Sequence, residues 1–216
     1  MKVPRALTIA GSDPDGGAGI QADLKTFSAL GVYGMTALTA VTVQNTLGVK
    51  ESHELPAGLV KAQVEAVVED LGVDAAKTGM LYSESIVKAV AETIRTYGFP
   101  LVVDPVMAAK SGDRLLKPEA FESLKRLLLP SATLITPNRE EALSAMKISS
   151  LKEAEEAAQK ISAETGVEAV LVKGGHLKGE EAVDILYFKG GFHQFRAPRL
   201  ETRSLHGSGC TYSAAI

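Results

Sequence analysis

The sequence predicts an α/β fold with a mostly parallel sheet covered by helices on both faces. Short β-rich runs alternate with longer runs whose apolar residues recur at helical spacing. Most of the short runs end at a glycine or proline, among them Gly11, Gly79, Pro105, Pro137 and Gly174. A chain of 216 residues, 45% apolar and 23% charged, is long enough for a full core, and one domain over 1–216 is expected.

The first buried strand is Ala6 to Ala10, and a helix from 19 to 30 follows, stopped by Gly31. Thr36 to Val43 is β-branched and apolar and reads as one second strand. Pro56 to Leu71 carries Leu59, Val60, Val64, Val67, Val68 and Leu71 at helical spacing, and Ala75 to Thr78 is a short strand. Ser83 is a fitting N-cap for a helix to Tyr97. Leu101 to Val103 is a strand, Glu119 to Leu128 a helix and Leu134 to Thr136 a strand. Ser150 and Glu153 form a capping box for a helix to about Thr165. Ala169 to Lys173 is a strand, and Val183 to Phe188 with Phe192 to Phe195 form a hairpin around Lys189-Gly190-Gly191. In parallel sheets ligands bind at the carboxyl ends of strands. The loops 11–19, 44–46, 79–81, 104–113, 137–141 and 174–176 all follow strands and should converge there.

Composition excludes several functions. The net charge of −3, with both signs interspersed, gives no basic footprint for nucleic acid. Trp is absent and aromatics are 5%, which argues against stacking on bases. A single cysteine forms no internal disulfide and no cysteine-based zinc site, and it suits the cytoplasm. No apolar run is long enough for a signal-peptide core or a membrane span. There is no G-x-x-x-x-G-K-[ST] and no G-x-S-x-G.

Leu205-His206-Gly207-Ser208-Gly209-Cys210-Thr211 holds the only cysteine, in a glycine loop leading into a small-residue segment. Free backbone N–H groups and the positive end of a helix make such a loop an anion site. In that field the Cys210 thiol is expected to have a lowered pKa. Gly11 to Gly19 contains G-x-G-x-x-A, a weak dinucleotide fingerprint, since the loop is long and no acidic residue closes the second strand. Asp23 is either a hydrogen-bond acceptor for a substrate hydroxyl or a helix acid favoured by the dipole. Gln44 offers a donor and an acceptor to a heteroaromatic edge, or is a turn residue. Asp104 could hold Mg²⁺ through water, or be a solvated turn residue. Asn138 and Glu141 have capping-box spacing, an alternative to a metal role for Glu141. Lys173 follows an apolar run and precedes two glycines, which suits a point charge on a transferring phosphate better than plain solvent exposure. His176 is a loop histidine before it is a base.

Together these segments resemble one family, the hydroxymethylpyrimidine and phosphomethylpyrimidine kinases of the ribokinase-like superfamily. The resemblance rests on A-G-S-D-P-D-G-G-A-G-I-Q-A-D-L-K-T (10–26), V-Q-N-T (43–46), K-T-G-M-L (77–81), D-P-V-M-A-A-K-S-G (104–112), L-I-T-P-N-R-E-E (134–141), V-K-G-G-H-L (172–177) and H-G-S-G-C-T-Y-S-A-A-I (206–216). It implies a three-layer α/β/α fold and ATP-dependent phosphorylation of a pyrimidine hydroxymethyl group, then of the monophosphate. It further implies that Gln44, Asp23, Gly11, Ala18, Met80 and Val106 or Met107 line the substrate pocket. Cys210, Lys173, Gly207 and Gly209 would carry the transfer. The nucleotide would meet Lys173, Asn138, Gly207, Ser208 and Thr211, and Asp104 and Glu141 would sit near Mg²⁺. A homodimer is the family expectation. Ser208 stands where the family usually has threonine, and Thr78 where isoleucine is common. Family members continue past the position of Ile216, so C-terminal helices are expected to be missing. The alternatives are a pyridoxal kinase and a non-catalytic binding protein on the same fold.

Overall fold

The computed structural model describes residues 3–107, 115–138, 148–175, 179–202 and 205–216. Among the described residues, ten strands and six α-helices follow in the order β1 (Arg5–Ala10), α1 (Gly19–Ala29), β2 (Tyr33–Leu38), β3 (Ala40–Asn45), β4 (Gly48–Glu54), α2 (Ala57–Asp70), β5 (Ala75–Thr78), α3 (Glu84–Tyr97), β6 (Leu101–Val103), α4 (Pro118–Ser123), β7 (Leu134–Ile135), α5 (Leu151–Thr165), β8 (Ala169–Val172), β9 (Glu181–Phe188), β10 (Gly191–Pro198) and α6 (Ser208–Ala214). Eight strands form one sheet in the order β10-β9-β8-β7-β6-β5-β1-β2. From β8 to β2 the pairs are parallel, while β9 and β10 add an antiparallel edge.

Strand alternation divides the helices between the two faces. Leu7 and Ile9 of β1 and Ala76 of β5 join Val60, Val64, Ile86, Val90, Ala157 and Ile161 in one buried cluster, which places α2, α3 and α5 on one side. Thr8 and Lys77 point the other way and meet Asp23 of α1, beside which α6 lies. The predicted caps hold. Ser83 accepts from Ile86 N–H, and Ser150 and Glu153 complete a reciprocal capping box. The predicted 119–128 helix is shorter. It runs as α4, widens through a π-type turn, Leu124–Leu128, and then tightens in a 3-10 turn, Leu129–Ser131, ahead of β7.

The second strand is two strands, not one. At Thr39 the chain leaves the main sheet, with its N–H on the Ala10 carbonyl and its hydroxyl on the Met80 carbonyl. Beyond it β3 pairs with β4 as a separate antiparallel ribbon at the carboxyl ends of the main strands. β-branched residues continue across the break, so periodicity alone does not mark it.

Thr78 belongs to the same face as Ala76, is fully buried, and its hydroxyl is the one buried side-chain polar atom without a partner among the described residues. An unmade buried hydrogen bond costs about 1–3 kcal/mol. Thr78→Val should therefore stabilise the protein by about 1 kcal/mol and raise the Tm by roughly 2–4 °C. A thermal melt checks this; a lower Tm would mean the hydroxyl is satisfied.

Candidate active site

The loop after β1 folds onto its own helix. Asp13 is fully buried, and its carboxylate accepts the Ala18 N–H at 2.7 Å, the Asp15 N–H at 3.1 Å and His206 Nε2 at 2.8 Å. Burial works to raise the Asp13 pKa, but His206, Ala18, Gln44 and Asp15 outweigh it and hold the carboxyl below its ordinary value. Since a carboxylate only accepts, the NH₂ end of the Gln44 amide is the end that Asp13 favours, which leaves the carbonyl end for a ligand donor. A register shift between Val43 and Gln44 marks a bulge in the ribbon, a device that re-aims side chains. Thr42 fastens the ribbon to the β1 loop, donating its hydroxyl to the Ser12 carbonyl at 2.8 Å.

These segments enclose a pocket lined by Gly11, Ala18, Gln44, Met80, Val106 and Cys210, together with Ser12, Thr42, Lys77 and Leu115. Close packing explains the glycine at 11, where a Cβ would come within 2.3 Å of the Met80 methyl. Met107 is half-buried and does not line the pocket. Neither does Asp23, which is fully buried behind it. Asp23 accepts Thr8 Oγ1 at 2.6 Å and Lys77 Nζ at 2.9 Å, so the group facing the pocket is the lysine. Burial pushes the Asp23 carboxyl above the ordinary range against the opposing pull of Lys77 and Thr8. Burial also works against the Lys77 charge, but Asp23, Cys210 and Asp104 outweigh it and hold its pKa above the ordinary value.

A second cluster sits beside the first. Asp104 is 2% exposed, which rules out a solvated turn. Its Oδ1 accepts Lys173 Nζ at 2.7 Å and Thr136 Oγ1 at 3.1 Å, and its Oδ2 accepts Ser213 Oγ of α6 at 3.2 Å. The Lys173 side chain is 14% exposed, far from the freely solvated alternative. Asn138 pairs with Lys173 through a parallel bridge between the ends of β7 and β8. Glu141 and His176 lie outside the described residues.

Gly207 caps α6 in the left-handed conformation (φ 72°), and a Cβ there would come within 1.6 Å of the Gly17 carbonyl oxygen. The β1 loop and the last loop are thus in backbone contact. Gly209 presents its α-carbon toward Lys173 Nζ, 3.6 Å from where a Cβ would stand. Ser208 is exposed, and Thr211 lines a groove between α1 and α6 rather than the pocket.

The Cys210 thiol departs from expectation. Burial pushes its pKa up more than Lys77 and the Gly19 N–H pull it down, and Asp104 and Asp23 add to the rise. The donors are visible in the glycine loop itself, whereas the desolvation and the two carboxylates behind it arise only in the folded molecule. The neutral thiol therefore adds stability below the ordinary thiol pKa, and this is lost as pH rises through the elevated one. Iodoacetamide labelling of this single cysteine, followed by intact mass, should be slower at neutral pH than for a free thiol. Its midpoint should lie above about 8.5; a midpoint below that restores the thiolate.

Lys77, Asp13 and His206 were not singled out from the sequence as site residues. For Lys77 the available signal was a lysine in an otherwise apolar four-residue strand.

The sequence model of the phosphomethylpyrimidine kinase family matches residues 13–216. The chain is 52% identical over 213 residues to a hydroxymethylpyrimidine/phosphomethylpyrimidine kinase of Rhizobium meliloti, covering 98% of this chain and 80% of that protein. It is similar to the crystal structure of a phosphomethylpyrimidine kinase from Clostridium difficile, with a TM-score of 0.83, 46% identity and coverage of 99% and 91%. It is also similar to a pyridoxal kinase from Staphylococcus aureus in complex with AMP-PCP, with a TM-score of 0.90, 38% identity and coverage of 100% and 79%. No helix among the described residues is long and apolar enough to cross a membrane.

Proposed function

The chain belongs to the phosphomethylpyrimidine kinase family, and on that premise we propose how its residues perform the reaction. The enzyme phosphorylates 4-amino-5-hydroxymethyl-2-methylpyrimidine and then its monophosphate, with ATP as the phosphoryl donor. The observation that carries the assignment of roles is the meeting of the Gln44 pocket with Cys210 on one side and the Lys173–Asp104 pair on the other.

The pyrimidine occupies the pocket between Gly11, Ala18, Met80 and Val106. Gln44, whose NH₂ end Asp13 favours, turns its carbonyl oxygen to the amino group of the ring. The hydroxymethyl group lies toward Cys210. Lys173 meets the transferring phosphoryl group, and the Gly209 and Cys210 amides, in the first turn of α6, donate to the charge that develops there. Ser208 and Asn138 border the nucleotide. Asp104 suits Mg²⁺ chemistry, being a hard carboxylate whose Oδ2 accepts only the Ser213 hydroxyl among the described residues. Mg²⁺ would neutralise phosphate charge there, with Glu141 as a second carboxylate. The protein works as one domain in the cytoplasm, as a homodimer, which light scattering tests.

A thiol held neutral is a poor proton acceptor. The loose phosphoryl-transfer transition state needs little base. Cys210 therefore orients the hydroxyl rather than deprotonating it. Cys210→Ala should lose about tenfold in kcat, less than the 10²–10⁴ of a full general base. A larger loss, rescued by Cys210→Asp, would assign it the base role.

Mass detection of products from ATP and the hydroxymethylpyrimidine tests the whole reading. Monophosphate followed by diphosphate is expected. Turnover on pyridoxal decides the second reading, which the similarity to pyridoxal kinases favours; a higher kcat/KM for pyridoxal would replace the pyrimidine as substrate.

A further inference from the structure

We propose that Asp184, on the antiparallel edge strand β9, is a positioning residue that sets the distance between Lys173 and Cys210. It deepens the reading above, since it rests on those two residues acting at the phosphoryl group.

β8 pairs with β9 as far as Val172 opposite Ile185, which puts Asp184 beside the chain where it leaves the sheet at Lys173. Both of its oxygens are used. Oδ1 accepts the Gly174 N–H at 2.7 Å, and Oδ2 accepts the Tyr212 hydroxyl of α6 at 2.7 Å. One carboxylate thus ties the residue after Lys173 to the residue two beyond Cys210. Burial, reinforced by Asp184, pushes the Tyr212 phenol far above the ordinary tyrosine range, so the hydroxyl keeps its proton and donates. The loop has little freedom otherwise. A Cβ at Gly174 would come within 1.7 Å of the Val183 carbonyl oxygen, so the backbone is pressed onto β9. Asp104 fixes the Lys173 head and reaches α6 through Ser213; Asp184 fixes the backbone that carries that head. A misplacement of about 1 Å at a reacting centre can cost 10²-fold in rate. Asp184 and Tyr212 do not line the pyrimidine pocket, whose wall of β1 and β3 segments and Met80 meets α6 at Cys210.

The test measures kcat, KM for ATP and, by calorimetry without nucleotide, pyrimidine affinity in Asp184→Ala, Asp184→Asn and Tyr212→Phe, with Lys173→Met alongside. Asp184→Ala should lose at least tenfold in kcat while pyrimidine affinity stays within twofold. Asp184→Asn should recover to within threefold of the parent, since its carbonyl oxygen still accepts from Gly174 and its NH₂ can donate to Tyr212. Tyr212→Phe should lose about threefold in kcat at unchanged pyrimidine affinity, and it carries the test whether or not Asp184→Ala folds. Parent kcat in Asp184→Ala or Tyr212→Phe, with Lys173→Met impaired, overturns the proposal. So does a parallel loss of pyrimidine affinity, which marks a merely structural role. A fully active Lys173→Met overturns the phosphoryl-site reading itself, and the proposal with it.

Discussion

Lys77→Met should destabilise the protein by about 3–5 kcal/mol, the range for removing one partner of a buried ion pair. Lys77 and Asp23 are 3% and 0% exposed at their side chains and 2.9 Å apart. Without the ammonium, Asp23 keeps only the Thr8 hydroxyl as a donor among the described residues. A domain is stable by about 5–15 kcal/mol, so the variant loses a large share of that and its Tm falls by roughly 10 °C or more. The direction with pH follows from the carboxyl. Burial already raises the Asp23 pKa, and losing Lys77 raises it further. A group whose folded pKa is elevated contributes stability at low pH that is lost as pH rises through that value. The deficit should therefore be larger at pH 8 than at pH 5. Adding Asp23→Asn removes the stranded charge and should recover most of the loss, because a buried pair replaced as a unit is often neutral. Thermal melts of the single and double variants at both pH values check this; an unchanged Tm in Lys77→Met would show that the pair is not worth its burial. Lys77 also pulls the Cys210 pKa down, so the variant's thiol should be alkylated still more slowly.

Asp23 and Lys77 also mark the limit of what was legible in the chain. Elements set by local chemistry were readable. Ser150 and Glu153 cap α5 through bonds spanning three residues, and Gly190 lies in the turn between β9 and β10 as the hairpin signal required. Contacts across long separations were not. Lys77 meets Asp23 across 54 positions, and His206 meets Asp13 across 193. β4 was missed because Gly48–Glu54 is mostly polar, and its pairing with β3 rather than a hydrophobic face defines it. Where the described residues cover them, the loops 11–19, 44–46, 79–81 and the start of 104–113 meet at one pocket, as the ends of parallel strands dictate. The thiol pKa was read with the wrong sign because donors are visible in a glycine loop, whereas desolvation belongs to the packed molecule.

The pair at the other end of the site predicts the opposite balance of effects. Lys173→Met should leave stability less affected than Lys77→Met, since Asp104 retains the Thr136 and Ser213 hydroxyls as donors. The expected cost is about 1–3 kcal/mol. Its effect on rate is the larger one. Losing a preorganised donor to developing charge typically costs about 10²–10³ in kcat. If Lys173 acts only as charge builds on the phosphoryl group, kcat and kcat/KM fall together, while a role in nucleotide binding alone raises KM at constant kcat. Steady-state kinetics over ATP concentration separates the two, and a kcat within threefold of the parent would remove Lys173 from the reaction. The contrast has a physical basis. Lys77 is locked 3% exposed against its acid, so its charge serves the fold first; Lys173, at 14%, is the more exposed of the two and stands at the end of its strand.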